Sequence, residues 1–264
     1  MLRILKIEEE FQLELGTRIL GSELHLFDRV ESTSDTAQSL ALGGAPEGTL
    51  VVAGEQSRGR GRSGRSWFSE PDSGLYLSLV LRPQIKPQLA PVLSLAAGVA
   101  LHHAIQAVSG LVADIKWPND ILLSQKKCAG ILLELHSDSD QIRHLILGIG
   151  INVNHRAFPP ELDGHATSLL LETGRRFRRA EVLLALLDQL ELVYQQFLVS
   201  GAGKIVEAWK KNSSFADGKK VSVVLGSKPI RGITVGVSAR GALQVRLESG
   251  QTEEFISGDI VSLE

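Results

Sequence analysis

The chain of 264 residues contains very little cysteine, and neither sign of charge dominates it. Its one cysteine, Cys128, excludes an internal disulfide framework and is typical of a reducing compartment. The net charge of −2 gives no general support to a role at nucleic acid or at a membrane surface. Charges break the N-terminal run too early for a signal peptide, and no stretch of about 18 uncharged apolar residues appears. We therefore expect a soluble, cytoplasmic protein without a spanning helix.

Common nucleotide and metal motifs are also missing or out of context. No G-x-x-x-x-G-K-[ST] occurs, which excludes a Walker A loop. Gly59–Gly64 matches G-x-G-x-x-G, but the chain then runs through Trp67 into a predicted strand. A dinucleotide loop needs a helix directly after it, so we reject that interpretation. The seven histidines show no H-x-x-x-H or Cys/His spacing, which gives a metal site little support.

What the sequence does contain is an α+β pattern. Apolar periodicity predicts helices over 8–20, 36–41, 91–108 and 181–197, and strands over 23–30, 49–53, 75–81, 112–117, 131–135 and 142–153. After Trp209, short β-rich runs alternate with Gly or Ser turns, which predicts a small β-barrel. We expect a mixed or antiparallel sheet flanked by helices in residues 1–216, and the barrel in 217–264.

Between two predicted strands lies a long loop, 54–74, that concentrates positive charge. Arg58, Arg60, Arg62 and Arg65 fall within eight residues of an otherwise slightly acidic chain. Glycines between them let the backbone approach a ligand, and arginine forks bind phosphate or carboxylate oxygens. Two alternatives remain open, a solvated mobile loop and an RNA-binding Arg-Gly segment.

Three further segments carry polar groups at strand ends. Lys116 ends an apolar strand before the turn 117–120, where its ammonium can point into a cleft or extend into solvent. Gly130 enters a buried strand, which indicates close approach of a ligand or another backbone, or a simple turn. Asn152 and Asn154 end the strand that contains Gly148, and their amides can pair with adenine or cap a turn.

In their order and spacing, these segments resemble the biotin–protein ligases. The matching blocks are Ser32-Thr33-Ser34, Gly54-Glu55-Gln56, Gly59-Arg60-Gly61-Arg62-x-Gly64-Arg65-x-Trp67, Lys116-Trp117-Pro118-Asn119-Asp120, Ala129-Gly130-Ile131-Leu132 and Gly150-Ile151-Asn152. The resemblance covers roughly residues 17–264. It implies a class II synthetase-like domain and a C-terminal SH3-like barrel. The implied enzyme forms biotinyl-5′-AMP and diphosphate from biotin and ATP, and transfers biotin to a lysine of a biotin carboxyl carrier protein.

The resemblance also implies roles for single residues. Lys116 and Arg62 are the expected catalytic cations. The expected biotin contacts are Ser32, Thr33, Ser34, Gln56, Arg60, Gly61, Arg62, Lys116 and Gly130, and the expected ATP contacts are Arg62, Arg65, Trp67, Asn119 and Asn152. Mg²⁺ is implied with ATP, although its ligands stay unknown. The Arg/Gly loop Gly59–Trp67 is expected to be a flexible, cationic lid with Lys116 across from it.

Some features depart from that family. Ser34 stands where many members have asparagine, and Cys128 where most have an aliphatic residue. Regulatory members begin with a helix-turn-helix domain for which the segment before the match is too short, so we expect no DNA binding. A homodimer is a reasonable expectation. The alternatives are a lipoate- or octanoate-transferring ligase and a non-enzymatic module that binds anions or RNA.

Overall fold

A computed structural model of the chain describes residues 10–11, 19–138, 140–225 and 228–263. Its larger part is a seven-stranded mixed sheet with the order β1-β2-β3-β7-β6-β5-β4. The strands are β1 (Leu24–Val30), β2 (Leu50–Gln56), β3 (Gly74–Leu81), β4 (Asp114–Lys116), β5 (Asp120–Leu123), β6 (Lys126–Ser137) and β7 (Ile142–Asn152). Only β1 and β2 run parallel within this order. Most of the helix predicted over 8–20 lies outside the described residues.

Helices cover both faces of this sheet. They are α1 (Thr33–Leu42), α2 (Ala90–Ser109), α3 (Leu169–Thr173), α4 (Arg179–Ser200) and α5 (Ala202–Lys211). The leucines at alternate positions of β3 join the core with α2 and α4. Val80, on the opposite face of β3, packs with α1. Every residue of β3 is consequently buried, although its alternating pattern is also that of a half-exposed strand.

In the described part of the chain, two helices satisfy the length and composition of a membrane span, namely the segment Pro87–Ser109 that includes α2, and α4. Most of their apolar residues, such as Val99 and Leu186, are buried in the core against each other and the sheet. Burial inside the fold accounts for this hydropathy, as it does for many core helices.

A second sheet forms the C-terminal part. Its strands are β8 (Lys220–Leu225), β9 (Lys228–Val237), β10 (Leu243–Leu247), β11 (Thr252–Phe255) and β12 (Asp259–Ser262). They are antiparallel in the order β11-β10-β9-β8-β12, which fits the predicted SH3-like barrel. The buried Trp117 joins the two parts, because its Nε1 donates to the Gly241 carbonyl at 3.0 Å. The boundary at 217 stays a prediction.

Several element bounds differ from the prediction for local reasons. Helix α1 begins at Thr33, three residues early, since the Gln56 side-chain oxygen accepts the Thr33 backbone N–H at 2.8 Å. The strand predicted over 112–117 shortens to β4 because Val112 is 71% exposed. Strand β5 and helices α3 and α5 were not predicted. Helix α5 has ten residues, of which Ile205 and Trp209 are fully buried.

Candidate active site

A cavity of about 270 Å³ opens on the α1 face of the sheet. Its floor is made by β6 and β7, and its walls by the start of α1, the Arg/Gly loop, the loop 158–166 and Asp259 of the barrel. Eleven predicted residues meet there: Thr33, Ser34, Gln56, Arg60, Gly61, Arg62, Arg65, Trp67, Asn119, Gly130 and Asn152. Of the predicted site residues, all of which are described, Ser32 and Lys116 do not line the cavity.

One end of the cavity is a small cluster of hydroxyls and one amide. The Gln56 side-chain oxygen accepts from both the backbone N–H and the hydroxyl of Thr33, at 2.8 and 3.1 Å. Gln56 Nε2 donates to Ser69 Oγ at 3.0 Å. Ser32 is instead buried behind this end, with its carbonyl accepting two hydrogen bonds from Thr36. This end suits a compact polar group with both donors and acceptors.

Three of the four loop arginines are paired with carboxylates. The pairs are Arg58–Glu31 at 3.2 Å, Arg60–Asp35 at 2.9 Å, Arg60–Glu134 at 2.7 Å and Arg65–Asp259 at 2.6 Å. They tie the loop to the start of α1, to β6 and to the barrel. Because these ion pairs largely neutralise the arginine charges, they disfavour the interpretation of the loop as an RNA-binding segment.

Arg62 differs from its neighbours. Among the described residues it forms no ion pair, and its Nη1 donates to the Asn119 side-chain oxygen at 3.1 Å and the Gly258 carbonyl at 3.4 Å. Burial lowers the pKa of Arg62, an effect that the charges of Asp259 and Asp120 partly offset. Arginine remains protonated in proteins. The cavity therefore holds a desolvated guanidinium whose hydrogen-bond partners are neutral, which favours an anionic ligand.

Trp67 lies on a floor of glycine. Gly130 of β6 and Gly150 of β7 face each other in register. A Cβ on Gly150 would lie 2.4 Å from Trp67 Cε2, and one on Gly130 would lie 2.8 Å from Trp67 Cζ3. The close approach predicted at Gly130 is thus made by an indole ring rather than by another backbone. Trp67 Nε1 is buried without a hydrogen-bond partner among the described residues.

The lysine in this cavity is Lys127. Its ammonium lies 2.7 Å from Asp120 Oδ1 and 5.3 Å from the centre of the Trp67 ring. Lys116 lies at the edge strand β4, with its ammonium 5.9 Å from the Phe215 ring centre. Burial lowers the pKa of Lys116. Lys127, a residue for which the sequence predicted no role, therefore lines the cavity, whereas Lys116 does not. The role expected of Lys116 stays a prediction.

The far wall of the cavity comes from the segment after β7. Asn152 is buried, and its Nδ2 donates to the carbonyls of Thr167 and Lys127 at 3.0 and 3.4 Å. These bonds hold the segment that supplies Phe158 and His165 to the wall. The segment lacks apolar periodicity, so no sequence signal pointed to it.

No group of three or more His, Cys, Asp or Glu side chains able to hold a metal occurs in the described part of the chain. Asp120 and Asp259 are the carboxylates that line the cavity. Each is already beside a cation, Lys127 and Arg65 respectively.

Comparisons with known proteins agree with this geometry. Residues 26–152 match the biotin/lipoate A/B protein ligase family, and residues 218–262 match the biotin protein ligase C-terminal domain. The bifunctional ligase/repressor BirA of Bacillus subtilis is 38% identical over 255 residues, which cover 96% of this chain and 78% of that protein. The biotin–[acetyl-CoA-carboxylase] ligase of Paracoccus denitrificans is 34% identical over 228 residues, covering 84% of this chain and 94% of that protein.

A solved structure gives the same result for the fold. The biotin protein ligase from Aquifex aeolicus, in complex with biotin and ATP, superposes with a TM-score of 0.79 at 32% identity. The match covers 92% of this chain and 99% of that one. The predicted fold class is confirmed. Because both its sequence and its structure match over most of their length, the chain belongs to the biotin protein ligase family.

Proposed function

We propose that the cavity brings the carboxylate of biotin against the α-phosphate of ATP, and that their reaction forms biotinyl-5′-AMP and releases diphosphate. A lysine of a carrier domain then attacks the adenylate, takes the biotinyl group and displaces AMP. The observation that carries this proposal is Arg62, a desolvated arginine that forms no ion pair with a carboxylate of the described residues, next to a compact polar pocket. Two anions must meet for this reaction, so buried cations lower its barrier.

Lys127, rather than Lys116, is our candidate for the second cation. Its ammonium lines the cavity and lies on the same floor as Trp67. The ion pair with Asp120 holds it there, and its three N–H donors form no hydrogen bond with the described residues, which leaves them for a ligand. Arg62 and Lys127 would then share the charge that develops on the phosphate oxygens.

The two ends of the cavity suit the two substrates. Thr33, Ser34 and Gln56 offer hydroxyls and an amide to the ureido ring of biotin. Trp67 offers a ring face to adenine. The amide N–H groups of Asn152 already bond backbone carbonyls, which leaves its oxygen to accept from the adenine amino group.

Mg²⁺ would be held mainly by the ATP phosphates and water, a common arrangement for this ion. Asp120 and Asp259 are the candidates for a contribution from the protein. We also propose a biotin carboxyl carrier domain as the protein substrate, a cytoplasmic location and no DNA binding. We also propose a homodimer, because two-fold symmetric dimers are the commonest oligomers of soluble proteins.

Biotin-dependent exchange between ATP and diphosphate tests the assignment of the lysines. Lys127→Ala should lower the exchange rate by about 10²–10³-fold, as loss of one preorganised charge typically does. Lys116→Ala is the matched control and should stay within about tenfold, because Lys116 does not line the cavity and its ammonium lies by the Phe215 ring. A larger loss of exchange in Lys116→Ala than in Lys127→Ala would instead identify Lys116 as the second cation.

The same assay separates the alternative substrate. The matching family model includes both biotin and lipoate ligases, whereas the C-terminal match is to biotin protein ligases. Exchange that lipoate stimulates and biotin does not would replace the proposed function. Arg62→Gly should release the adenylate early, seen by mass spectrometry as biotin on lysines of an added bystander protein.

A further inference from the structure

Behind the polar end of the cavity lies a buried hydroxyl that does not line it. Ser78 of β3 is 0% exposed, and its Oγ donates to Thr33 Oγ1 at 2.9 Å. The same Oγ lies 3.1 Å from Ser34 Oγ. Neighbouring Gly148 leaves no space for a side chain, as a Cβ there would lie 2.8 Å from Ser34 Oγ. The hydroxyls of Thr33, Ser34 and Ser78 and the amide of Gln56 thus form one continuous chain of hydrogen bonds, here called the hydroxyl relay.

The direction of each proton in the relay follows from one fixed donor. The backbone N–H of Thr33 can only donate, so the Gln56 atom that it contacts must be the amide oxygen. The Thr33 hydroxyl must then donate to that same oxygen. Because the Thr33 proton is committed, Ser78 donates to Thr33. Because the Ser78 proton is committed in turn, Ser34 donates to Ser78.

The other side of Gln56 agrees with this direction. Its Nε2 donates to Ser69 Oγ at 3.0 Å, and the Ser69 hydroxyl donates onward to the Trp67 carbonyl at 3.3 Å. Ser69 can therefore only accept from Gln56, which fixes the amide orientation a second time. One Gln56 N–H bonds no other described residue and remains for a ligand acceptor.

We propose that Ser78 is a positioning residue that makes Ser34 an obligate hydrogen-bond acceptor toward the ligand, so that this end of the cavity selects ligands with an N–H at Ser34. The inference rests on the proposed binding of biotin at this end. A ureido ring fits the resulting polarity, since it presents an N–H donor to Ser34 and a carbonyl acceptor to Gln56. A ring that carries oxygen in place of that N–H would set two acceptors against each other.

The test compares two ligands in the full-length chain. The first ligand is biotin. The second is a cyclic carbamate analogue in which oxygen replaces one ring N–H, and both such analogues are measured because either N–H can face Ser34. Calorimetric dissociation constants give the discrimination between biotin and the more weakly bound analogue. Wild type should discriminate by about 100-fold or more, as a site built around a hydrogen bond usually does. In Ser78→Ala the Ser34 proton is released and can turn toward the ring oxygen, so discrimination should fall below about tenfold.

Ser222→Ala is the matched control, because Ser222 is also a buried strand serine but lies on β8 of the barrel. It should keep the wild-type discrimination. Ser34→Ala adds a measurement that does not depend on folding of the Ser78 variant. Removing the acceptor should weaken biotin about tenfold and leave the carbamate analogue nearly unchanged.

Failure of the proposed function and failure of this inference give different results. If wild type does not bind biotin at all, the proposed function fails. If wild type binds biotin but Ser78→Ala weakens biotin and the analogues by one common factor, Ser78 is only structural and the inference is overturned. Unchanged discrimination in Ser78→Ala would overturn it equally.

Discussion

His155 provides a pH-dependent test of how the far wall of the cavity is built. It is 0% exposed and stacks on Phe158, with ring centres 5.2 Å apart, while Phe68 lies 5.7 Å away. Tyr76 Oη donates to the Glu70 carbonyl at 2.9 Å, so it can only accept from His155 Nε2 at 3.2 Å. The imidazole therefore carries its proton on Nε2, and Nδ1 is buried without a partner among the described residues.

Acid must place a second proton on that isolated Nδ1. Burial lowers the pKa of His155 from 6.5 to about 4, and the charge of Glu70 opposes the shift only weakly. The neutral form is favoured in the folded state, so the unfolded chain binds the proton first as the pH falls. The free energy of unfolding should thus be unaffected above pH 6.5 and decrease between pH 6.5 and 4. Linkage gives a loss of about 2 kcal/mol from pH 7 to 5.

Urea unfolding at pH 7 and pH 5 measures this loss. His155→Phe keeps a ring against Phe158 but cannot titrate, and His155→Asn removes the ring altogether. Both variants should show a pH dependence smaller than wild type by about 2 kcal/mol, whatever their absolute stability. Burial also lowers the pKa values of His103 and His144, so the informative quantity is the difference between wild type and variant. Equal pH dependence in wild type and both variants would refute the buried, singly protonated imidazole.

Two substitutions probe the glycine floor and the tie between the loop and the barrel. Gly150→Ala should displace the Trp67 ring, because the new Cβ would lie 2.4 Å from it, and raise the ATP concentration for half-maximal exchange about tenfold. Gly203→Ala, where a Cβ meets no atom within 4 Å, is the control, and equal effects of the two would contradict the floor. Asp259→Asn should change stability by less than about 1 kcal/mol, since its pair with Arg65 is partly exposed. Asp259→Asn should increase biotin labelling of bystander lysines, and exchanging the charges of residues 65 and 259 should reduce that labelling again. No increase in Asp259→Asn would show that the barrel does not help to close the Arg/Gly loop.

The sequence predicted best those elements whose local pattern agrees with their surroundings. Helices α2 and α4 were found because most of their apolar residues recur at helical spacing and face the core. The start of α1 was missed by three residues because its first N–H is satisfied by Gln56, which lies 23 residues away. Arg65 and Asp259, which are in contact, lie 194 residues apart in the sequence, and Asp259 belongs to the second sheet. No local pattern carries such information.

The position of Lys127 was hidden by a single irregularity in β6. In a regular strand side chains alternate between the faces, so Lys127 would lie on the face opposite Gly130. The register with β5 shifts here, because Ala129 pairs with Ile121 but Lys127 pairs with Leu122. Cys128 is thus an extra, bulged residue, and bulges re-aim the side chains beside them.

The bulge also explains why Lys116 was the more obvious candidate. Lys116 ends a short regular strand and pairs with Asp120, a residue of the cavity wall. It therefore shares the face of the cavity but lies one strand further toward the sheet edge than Asp120, a displacement of about 4.8 Å. Removing the bulge by deleting Cys128 should return Lys127 to the opposite face and abolish biotin-dependent exchange. Retained activity in a folded deletion variant would show that the Lys127 ammonium is not required in the cavity.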